Sequence, residues 1–255
     1  FREFDNYALF EGGETVAETR QAENLVLASR ADLMTTEQQV LLDGVTAYMD
    51  VLRDQARVQL NVNNEQVLRR QLEATTDRFE VGEVTRTDVA QAEARLARAL
   101  AERLQAQGQL AVSRATYERV IGKAPENLVA APPLPSLPAT LRDGLGIGLE
   151  ENPKLVSANF TERAAGDAIT VAFAEILPSL DLKGQVVRSN ETSLEGVWSE
   201  SESLLAQVTI PIYQAGVVHS QVREAKQFRN QRRIQVEQVR RQTVELITQA
   251  WEVFG

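Results

Sequence analysis

The chain contains no cysteine, one histidine and only 5% aromatic residues. Without cysteine, a disulfide framework, a thiolate metal site and a cysteine nucleophile are all excluded. His219 has no second imidazole or thiolate with which to share a zinc ion, so no metal site is expected. The scarcity of aromatic residues argues against a thick globular core and suits long helices with thin seams. No cofactor is predicted.

Positive charge and long apolar runs are also in short supply. Lys and Arg number 27 against 36 Asp and Glu, a formal net charge of −9, which excludes a general binder of nucleic-acid backbones. No run reaches the roughly 20 apolar residues that a membrane-spanning helix needs, although the short alternating strands of a membrane β-barrel stay compatible. The chain starts at Phe1 without an apolar leader, so we expect either a removed signal peptide or a piece of a longer protein.

Proline is absent from residues 14–77, and glycine occurs there once, at Gly44. Strong helix formers fill this stretch, so we predict a single helix about 95 Å long at 1.5 Å per residue. A helix of that length must pack along equally long partners. Four of its large side chains share one face by a spacing of four, three and four: Leu41, Val45, Tyr48 and Leu52.

A second helix is predicted over residues 86–121, ending at Gly122. Its seam positions alternate by three and four without interruption, which is typical of a coiled coil. Several seam residues are small and let helices approach closely, and Arg103 is the one charged residue among them. The seam consists of Val89, Ala92, Leu96, Ala99, Arg103, Ala106, Leu110, Ser113, Tyr117 and Val120.

The segment 78–88 between these helices is predicted to be a tight turn that reverses the chain. Gly82 and its β-branched neighbours break the first helix, and Thr85 or Thr87 can cap the second. Asp88 would then lie in the first turn of the second helix, where the helix dipole favours a carboxylate. The two helices and this turn form a helical hairpin.

Residues 125–138 hold five of the eight prolines and are interpreted as an extended connector. The connector divides a first part, residues 1–124, from a second part, residues 139–255. In the second part we predict short helices over 139–150 and 153–175.

The first of these short helices is weakened by Gly144, Gly146 and Gly148. These glycines lack the preceding strand and the following Lys-Ser/Thr of a phosphate-binding loop, so such a site is rejected. No catalytic constellation is found elsewhere, and the chain is not expected to be an enzyme. A long helix is predicted to close the chain over residues 217–254.

Over residues 179–213 the hydrophobic period changes to two, and a polar loop at 189–202 separates two predicted strands. The resulting β-hairpin has one apolar and one mostly polar face. By itself this pattern fits a membrane strand pair or a soluble hairpin packed on a core, and it favours the soluble hairpin. The predicted helices offer no obvious layer to cover the apolar face, which favours the membrane. The residues predicted to face lipid are Leu204, Ala206, Val208, Ile210 and Ile212.

An internal repeat emerges when the sequence is compared with itself at a shift of 203 residues. Gly13 then faces Gly216, and Tyr48 faces Trp251. In both copies a strand ends, a glycine turns the chain and a long polar helix begins, which indicates two structural repeats. We expect the chain to be cut at both ends, with the first strand pair lying before Tyr7 and the second hairpin tip beyond residue 255.

Four segments in this order resemble the TolC family of outer-membrane channel proteins: Arg78–Leu96, Glu151–Pro153, Ile176–Leu180 and Ile210–Gly216. The resemblance implies a mainly α fold with a small β part. In it, long antiparallel coiled-coil helices build an α-barrel tunnel, and the β-hairpin contributes to an outer-membrane β-barrel shared by a homotrimer. The helices would extend from the outer membrane into the periplasm.

The resemblance also implies a function. The protein would be a passive exit duct for substrates of a tripartite type I secretion or efflux system. It would work with a periplasmic membrane-fusion adaptor and an inner-membrane transporter, and contact outer-membrane lipid. The adaptor would dock on the tip residues Val81, Gly82, Val84, Thr85, Thr87 and Asp88. The alternative that the residues leave open is a soluble coiled-coil scaffold or adaptor with a β-hairpin.

Overall fold

The computed structural model describes residues 2–130, 137–190 and 198–254. Three prolines of the predicted connector, at positions 132, 133 and 135, lie outside the described residues, as do residues 191–197 of the predicted polar loop. The rest of that loop, residues 189–190 and 198–202, was predicted wrongly, because these residues form the ends of two paired strands. The elements of the described chain are β1 (Arg2–Glu11), α1 (Glu14–Glu80), α2 (Arg86–Ile121), α3 (Leu141–Glu151), α4 (Pro153–Ala174), β2 (Ser179–Asn190), β3 (Trp198–Thr209) and α5 (Val217–Phe254).

The predicted mainly α fold with a small β part is therefore confirmed. Within the described residues, no helix combines the length and the apolar character needed to cross a membrane. The chain forms two compact units, one from residues 1–35 with 138–255 and the other from residues 36–137. The helix α1 contributes to both units. The predicted repeats, residues 1–124 and 139–255, are a different kind of division and stay a prediction.

In the second unit, α2 packs antiparallel on the later part of α1. All ten predicted seam residues of α2 are buried or half-buried, and Ala99, Ala106 and Ser113 are buried most. The facing positions on α1 include Ala47 and Val51, which are also buried. Small side chains on both helices allow this close packing, so the predicted coiled-coil seam is confirmed.

The large apolar side chains of α1 are distributed differently from what their spacing suggested. Leu41 and Val45 are 69% and 61% exposed, whereas Tyr48 and Leu52 are half-buried. Alanine occupies the seam because it permits the shortest distance between helices, which leaves bulkier residues on the outer surface.

Polar residues interrupt the seam at two levels. Asp54 is 1% exposed and accepts hydrogen bonds from Arg53 and from the hydroxyl of Ser113. These bonds hold the pKa of the Asp54 carboxyl below its usual value despite burial. Arg103, the misfit of the predicted seam, lies with its Nε 2.5 Å from Oε2 of Glu65. The seam therefore contains paired charges rather than an isolated one.

In the first unit, α4 and α3 pack on α5. Asn152 caps α4 by accepting from the backbone N–H of Leu155, and Pro153 occupies the first turn, where its missing N–H costs nothing. One glycine of α3, Gly148, has a packing role that the sequence did not reveal. A Cβ at Gly148 would overlap Cδ1 of Ile247 on α5, so α3 approaches α5 closely through the face that carries Gly148.

The three strands form one antiparallel sheet in the order β1-β2-β3. Tyr7 pairs with Leu182, which pairs with Ala206, and a bulge between Ala8 and Phe10 shifts the register of β1. β1 runs from Arg2 to Glu11 and is the strand whose end was predicted before Gly13, whereas the first strand pair expected before Tyr7 stays a prediction.

Candidate functional site

The first candidate site is the tip between α1 and α2. Here α1 ends in a Schellman motif: the backbone N–H of Glu83 donates to the carbonyl of Arg78 at 2.9 Å, and that of Gly82 to Phe79 at 3.0 Å. Gly82 has φ +81°, a left-handed conformation that favours glycine. The predicted role of Gly82 in the reversal follows directly from this geometry.

The start of α2 is fixed by a reciprocal pair of side chains. Thr85 is the N-cap, with its hydroxyl accepting from the backbone N–H of Asp88, while Asp88 accepts from the backbone N–H of Thr85 at 2.8 Å. Hydrogen bonds from the Thr85 side chain and backbone lower the pKa of the Asp88 carboxyl. Of the two predicted caps, Thr85 is used, and Thr87 lies within the first turn of α2 with its side chain exposed.

The outer surface of the tip is small and partly apolar. Val81 is 72% exposed, Val84 is half-buried, and a Cβ built at Gly82 has no atom of the described chain within 4 Å. Both bounding helices are capped by local hydrogen bonds. The tip thus presents an exposed valine on a rigid turn, which suits contact with another protein.

The second candidate site is the apolar face of the sheet. Leu204, Ala206 and Val208 lie on β3, and all three are exposed. The cross-strand neighbours of two of them are Leu182 and Leu180 on β2, which belong to the same face. The face is continuous across strands because residues directly opposite in an antiparallel pair point to the same side.

Ile210 and Ile212, the other two residues predicted to face lipid, lie beyond the end of β3 at Thr209. The predicted hairpin of residues 179–213 is therefore shorter on this side. Continuing the register would pair Ile210 with Pro178, which has no N–H to donate to the ladder. Both isoleucines are nevertheless exposed, Ile212 by 93%.

The opposite face of the sheet carries polar groups that bond to one another. Lys183 on β2 donates from Nζ to Oε1 of Gln207 on β3 at 2.9 Å. Asp181 and Gln185 alternate with the apolar residues of β2 and share this face. The sheet therefore has two chemically different sides, as the period-two pattern predicted.

The third feature consists of the two turns that follow β1 and β3. Gly13 and Gly216 have φ values of +86° and +80°, and each is preceded by another left-handed residue, Gly12 or Ala215. At the start of the following helix, the backbone N–H of Ala17 donates to the carbonyl of Gly13. In the second copy the backbone N–H of Ser220 donates to the carbonyl of Gly216 in the same way. The turns of the two sequence copies thus share one geometry.

Gly12 was missed as a turn residue, although the pair Gly12-Gly13 was a signal for it. A Cβ at Gly12 would lie 2.8 Å from the carbonyl oxygen of Ala174 and 2.8 Å from Cβ of Leu177. Gly12 is required both for its backbone angle and for the close approach of α4.

No cluster of three or more His, Cys, Asp or Glu side chains in the described ranges is arranged to hold a metal ion. The candidate functional features of the described chain are therefore the tip, the apolar face of the sheet and the two glycine turns.

The sequence of the chain matches a known family and several known proteins. The family model described as outer membrane efflux protein matches residues 5–123 and 146–251. The outer membrane efflux protein BepC of Brucella suis biovar 1 (strain 1330) is 31% identical over 247 residues, which cover 96% of this chain and 54% of BepC. The outer membrane protein TolC of Escherichia coli (strain K12) is 29% identical over 213 residues, covering 75% of this chain and 42% of TolC.

The fold has a counterpart among solved structures. CusC, a protein described as forming a transmembrane channel, superposes with a TM-score of 0.87 at 17% identity, covering 99% of this chain and 60% of CusC. At that identity the likeness concerns the fold alone. The chain spans about half the length of the curated relatives it matches.

Proposed function

The chain belongs to the outer membrane efflux protein family, and on this premise we propose that it builds part of an outer-membrane exit duct. The resemblance to the TolC family is thereby confirmed. In this proposal the duct is a passive conduit for substrates exported by a tripartite type I secretion or efflux system. Three copies would close their sheets into one lipid-embedded wall and extend their helices into the periplasm.

The observation that carries the proposal is the two-sided sheet. Leu204 and Val208 on its apolar face are 75% and 61% exposed, and Tyr7 on the same face is also exposed. An apolar face of this extent left in water is costly at roughly 25 cal/mol per Å². Lipid would cover it, while the Lys183–Gln207 face would border water in the conduit.

The same set of residues counts against the soluble scaffold. That alternative requires the apolar strand residues to pack on the protein's own helices. Ala206, Ile210 and Ile212 are exposed together with Leu204 and Val208, so no such packing supports it.

The helices supply a separate argument for association with further copies. In the second unit, α1 exposes five large apolar side chains within the ten residues 40–49: Val40, Leu41, Leu42, Val45 and Met49. An exposed apolar stripe of this kind marks a surface that another protein covers. Association of identical protomers into a homotrimer would cover it.

The face assignment is tested by a matched pair of arginine substitutions on β3 of the intact gene product. Val208→Arg places a charge on the proposed lipid side and costs roughly 2–4 kcal/mol near the bilayer midplane. Gln207→Arg places the same charge on the proposed aqueous side. We expect the first variant to be depleted from the outer-membrane fraction and the second to remain, as measured by quantitative immunoblotting. Equal depletion of both would refute the assignment.

Assembly and conduction are tested on the intact protein extracted in detergent. Light scattering on a sizing column should give a protein mass of three protomers, and the trimer should conduct ions in planar bilayers. A monomer that stays in solution without detergent would overturn the proposal and restore the scaffold alternative.

We further propose that the tip, with Val81 at its surface, docks a periplasmic adaptor linked to an inner-membrane transporter. Val81→Asp should abolish export without lowering the amount of protein in the outer membrane. Val129→Asp is a matched control, because Val129 is equally exposed, at 72%, but lies away from the tip. Equal export by the two variants would place docking elsewhere. The lost export, of a protein or of small toxic compounds, would also identify the substrate class.

A further inference from the structure

Tyr48 contacts the segment that leaves the helical hairpin. Its hydroxyl donates to the carbonyl oxygen of Val129 at 2.5 Å and accepts from the backbone N–H of Val129 at 2.9 Å. A tyrosine hydroxyl has one hydrogen to donate, and here both of its functions are used on one residue. The side chain thus bonds the backbone of Val129 as a neighbouring strand would.

The hydroxyl is held in place by the body of the hairpin. Tyr48 is half-buried on α1, and its ring lies against that of Tyr117 on α2, with 6.4 Å between centroids and a tilt of 46°. Tilted aromatic pairs at this separation are favourable. The bonding group is therefore carried by an oriented ring that touches both helices.

The segment itself has few other attachments. Residues 124–130 make no backbone–backbone hydrogen bond with the rest of the described chain. Pro125 and Leu128 are half-buried, but the Val129 side chain is exposed. Asn127 has φ +48°, a left-handed kink that changes the direction of the chain just before Val129. The position of this segment therefore depends strongly on the two hydrogen bonds between the Tyr48 hydroxyl and the Val129 backbone.

We infer that Tyr48 is a positioning residue that latches the connector to the hairpin and fixes the path by which the chain leaves it. This role does not depend on the proposed duct function. It accounts for a tyrosine, rather than another large apolar residue, at this point of α1, because only the hydroxyl reaches both backbone groups of Val129.

The test is hydrogen exchange followed by mass spectrometry on the intact protein. Tyr48→Phe keeps the ring and removes the hydroxyl, so the Val129 amide loses its acceptor. We expect its exchange to become about tenfold faster, the change that 1.4 kcal/mol represents, while peptides of the seam around Ala106 stay unchanged. Tyr117→Phe is the control, because it removes a hydroxyl from the other ring of the pair and leaves both bonds between Tyr48 and Val129 in place.

Three outcomes would overturn the inference. The first is unchanged exchange of the Val129 amide in Tyr48→Phe. The second is an equal acceleration in Tyr117→Phe, which would show that losing a hydroxyl from either ring, rather than losing the bond to Val129, causes the effect. The third is faster exchange throughout the α1–α2 seam, which would make Tyr48 a general stabiliser of the hairpin rather than a latch.

Discussion

Two glycines of α3 lead to opposite predictions for the same substitution by alanine. Gly146 and Gly148 lie two residues apart in one helix, so alanine relieves the same backbone penalty at both positions. A Cβ at Gly146 meets no atom within 4 Å, whereas at Gly148 it would overlap Cδ1 of Ile247 and lie 3.4 Å from its Cγ1. The two variants separate helix propensity from packing.

The magnitudes follow from these two terms. Replacing glycine by alanine inside a helix gains about 0.8–1.0 kcal/mol, so Gly146→Ala should raise the free energy of unfolding by about 1 kcal/mol. Overpacking at Gly148 costs about 1–3 kcal/mol, which cancels or exceeds that gain. We therefore expect Gly148→Ala to be less stable than Gly146→Ala by about 1–3 kcal/mol.

The assay is denaturant unfolding of the intact protein in detergent, followed by helical circular dichroism. All variants must be compared at one protein concentration, because association of protomers makes the midpoint depend on concentration. Ile247→Val removes the overlapping Cδ1. In that background Gly148→Ala should become stabilising by about 1 kcal/mol, because only the propensity gain remains.

If Gly148→Ala proved as stable as Gly146→Ala, the Ile247 side chain would have turned its Cδ1 away and the predicted overpacking cost would be refuted. If Ile247→Val failed to reverse the effect, the clash would have to come from an atom other than Cδ1.

Three further predictions concern the turns, the seam and the tip. Gly12→Ala should destabilise the protein by about 2–4 kcal/mol, because its Cβ meets the end of α4. Ala215→Gly should stabilise it by about 0.5–1 kcal/mol, because glycine adopts the left-handed conformation without the penalty that alanine has. Denaturant midpoints measure both changes. Ser113→Ala should cost about 1–3 kcal/mol, because the buried Asp54 carboxylate loses one donor; no change in midpoint would contradict this. The pKa of Asp88 is lowered by folding, so its contribution to the cap is present above the ordinary carboxyl pKa and lost as the pH falls through the lower folded value. Protection of tip amides, corrected for intrinsic exchange rates, should decline over that range in the natural protein and stay flat in Asp88→Asn.

Much of the fold could be predicted because local chemistry decided it. The start of α2 was narrowed to Thr85 or Thr87 because only a side chain with an acceptor can satisfy the first free N–H groups of a helix. Its end at Gly122 followed from the left-handed residue that helix ends favour. The ten seam residues of α2 and the two faces of the sheet followed from periods of 3.5 and 2. The matching turns at Gly13 and Gly216 followed from the internal repeat.

Other features depended on residues far apart in the sequence, so only the tertiary structure decided them. Apolar spacing along α1 did not reveal that Ala47 and Val51, rather than Leu41 and Val45, face α2, because that choice depends on how closely the partner can approach. β3 ends at Thr209 because its neighbour begins after a proline.

The structure also assigned the polar and small residues that sequence patterns leave ambiguous. Arg103 was a misfit until Glu65 was found opposite it, and Gly148 was a weak helix former until Ile247 was seen against it. The internal repeat matched Tyr48 with Trp251 but indicated no hydrogen-bond partner for its hydroxyl, and the structure shows that this partner is Val129. Periodicity predicts whether a segment is a helix or a strand and which of its residues share a face. The partner of a charge, of a glycine or of a hydroxyl lies on a second element. Only the tertiary structure shows where that element is.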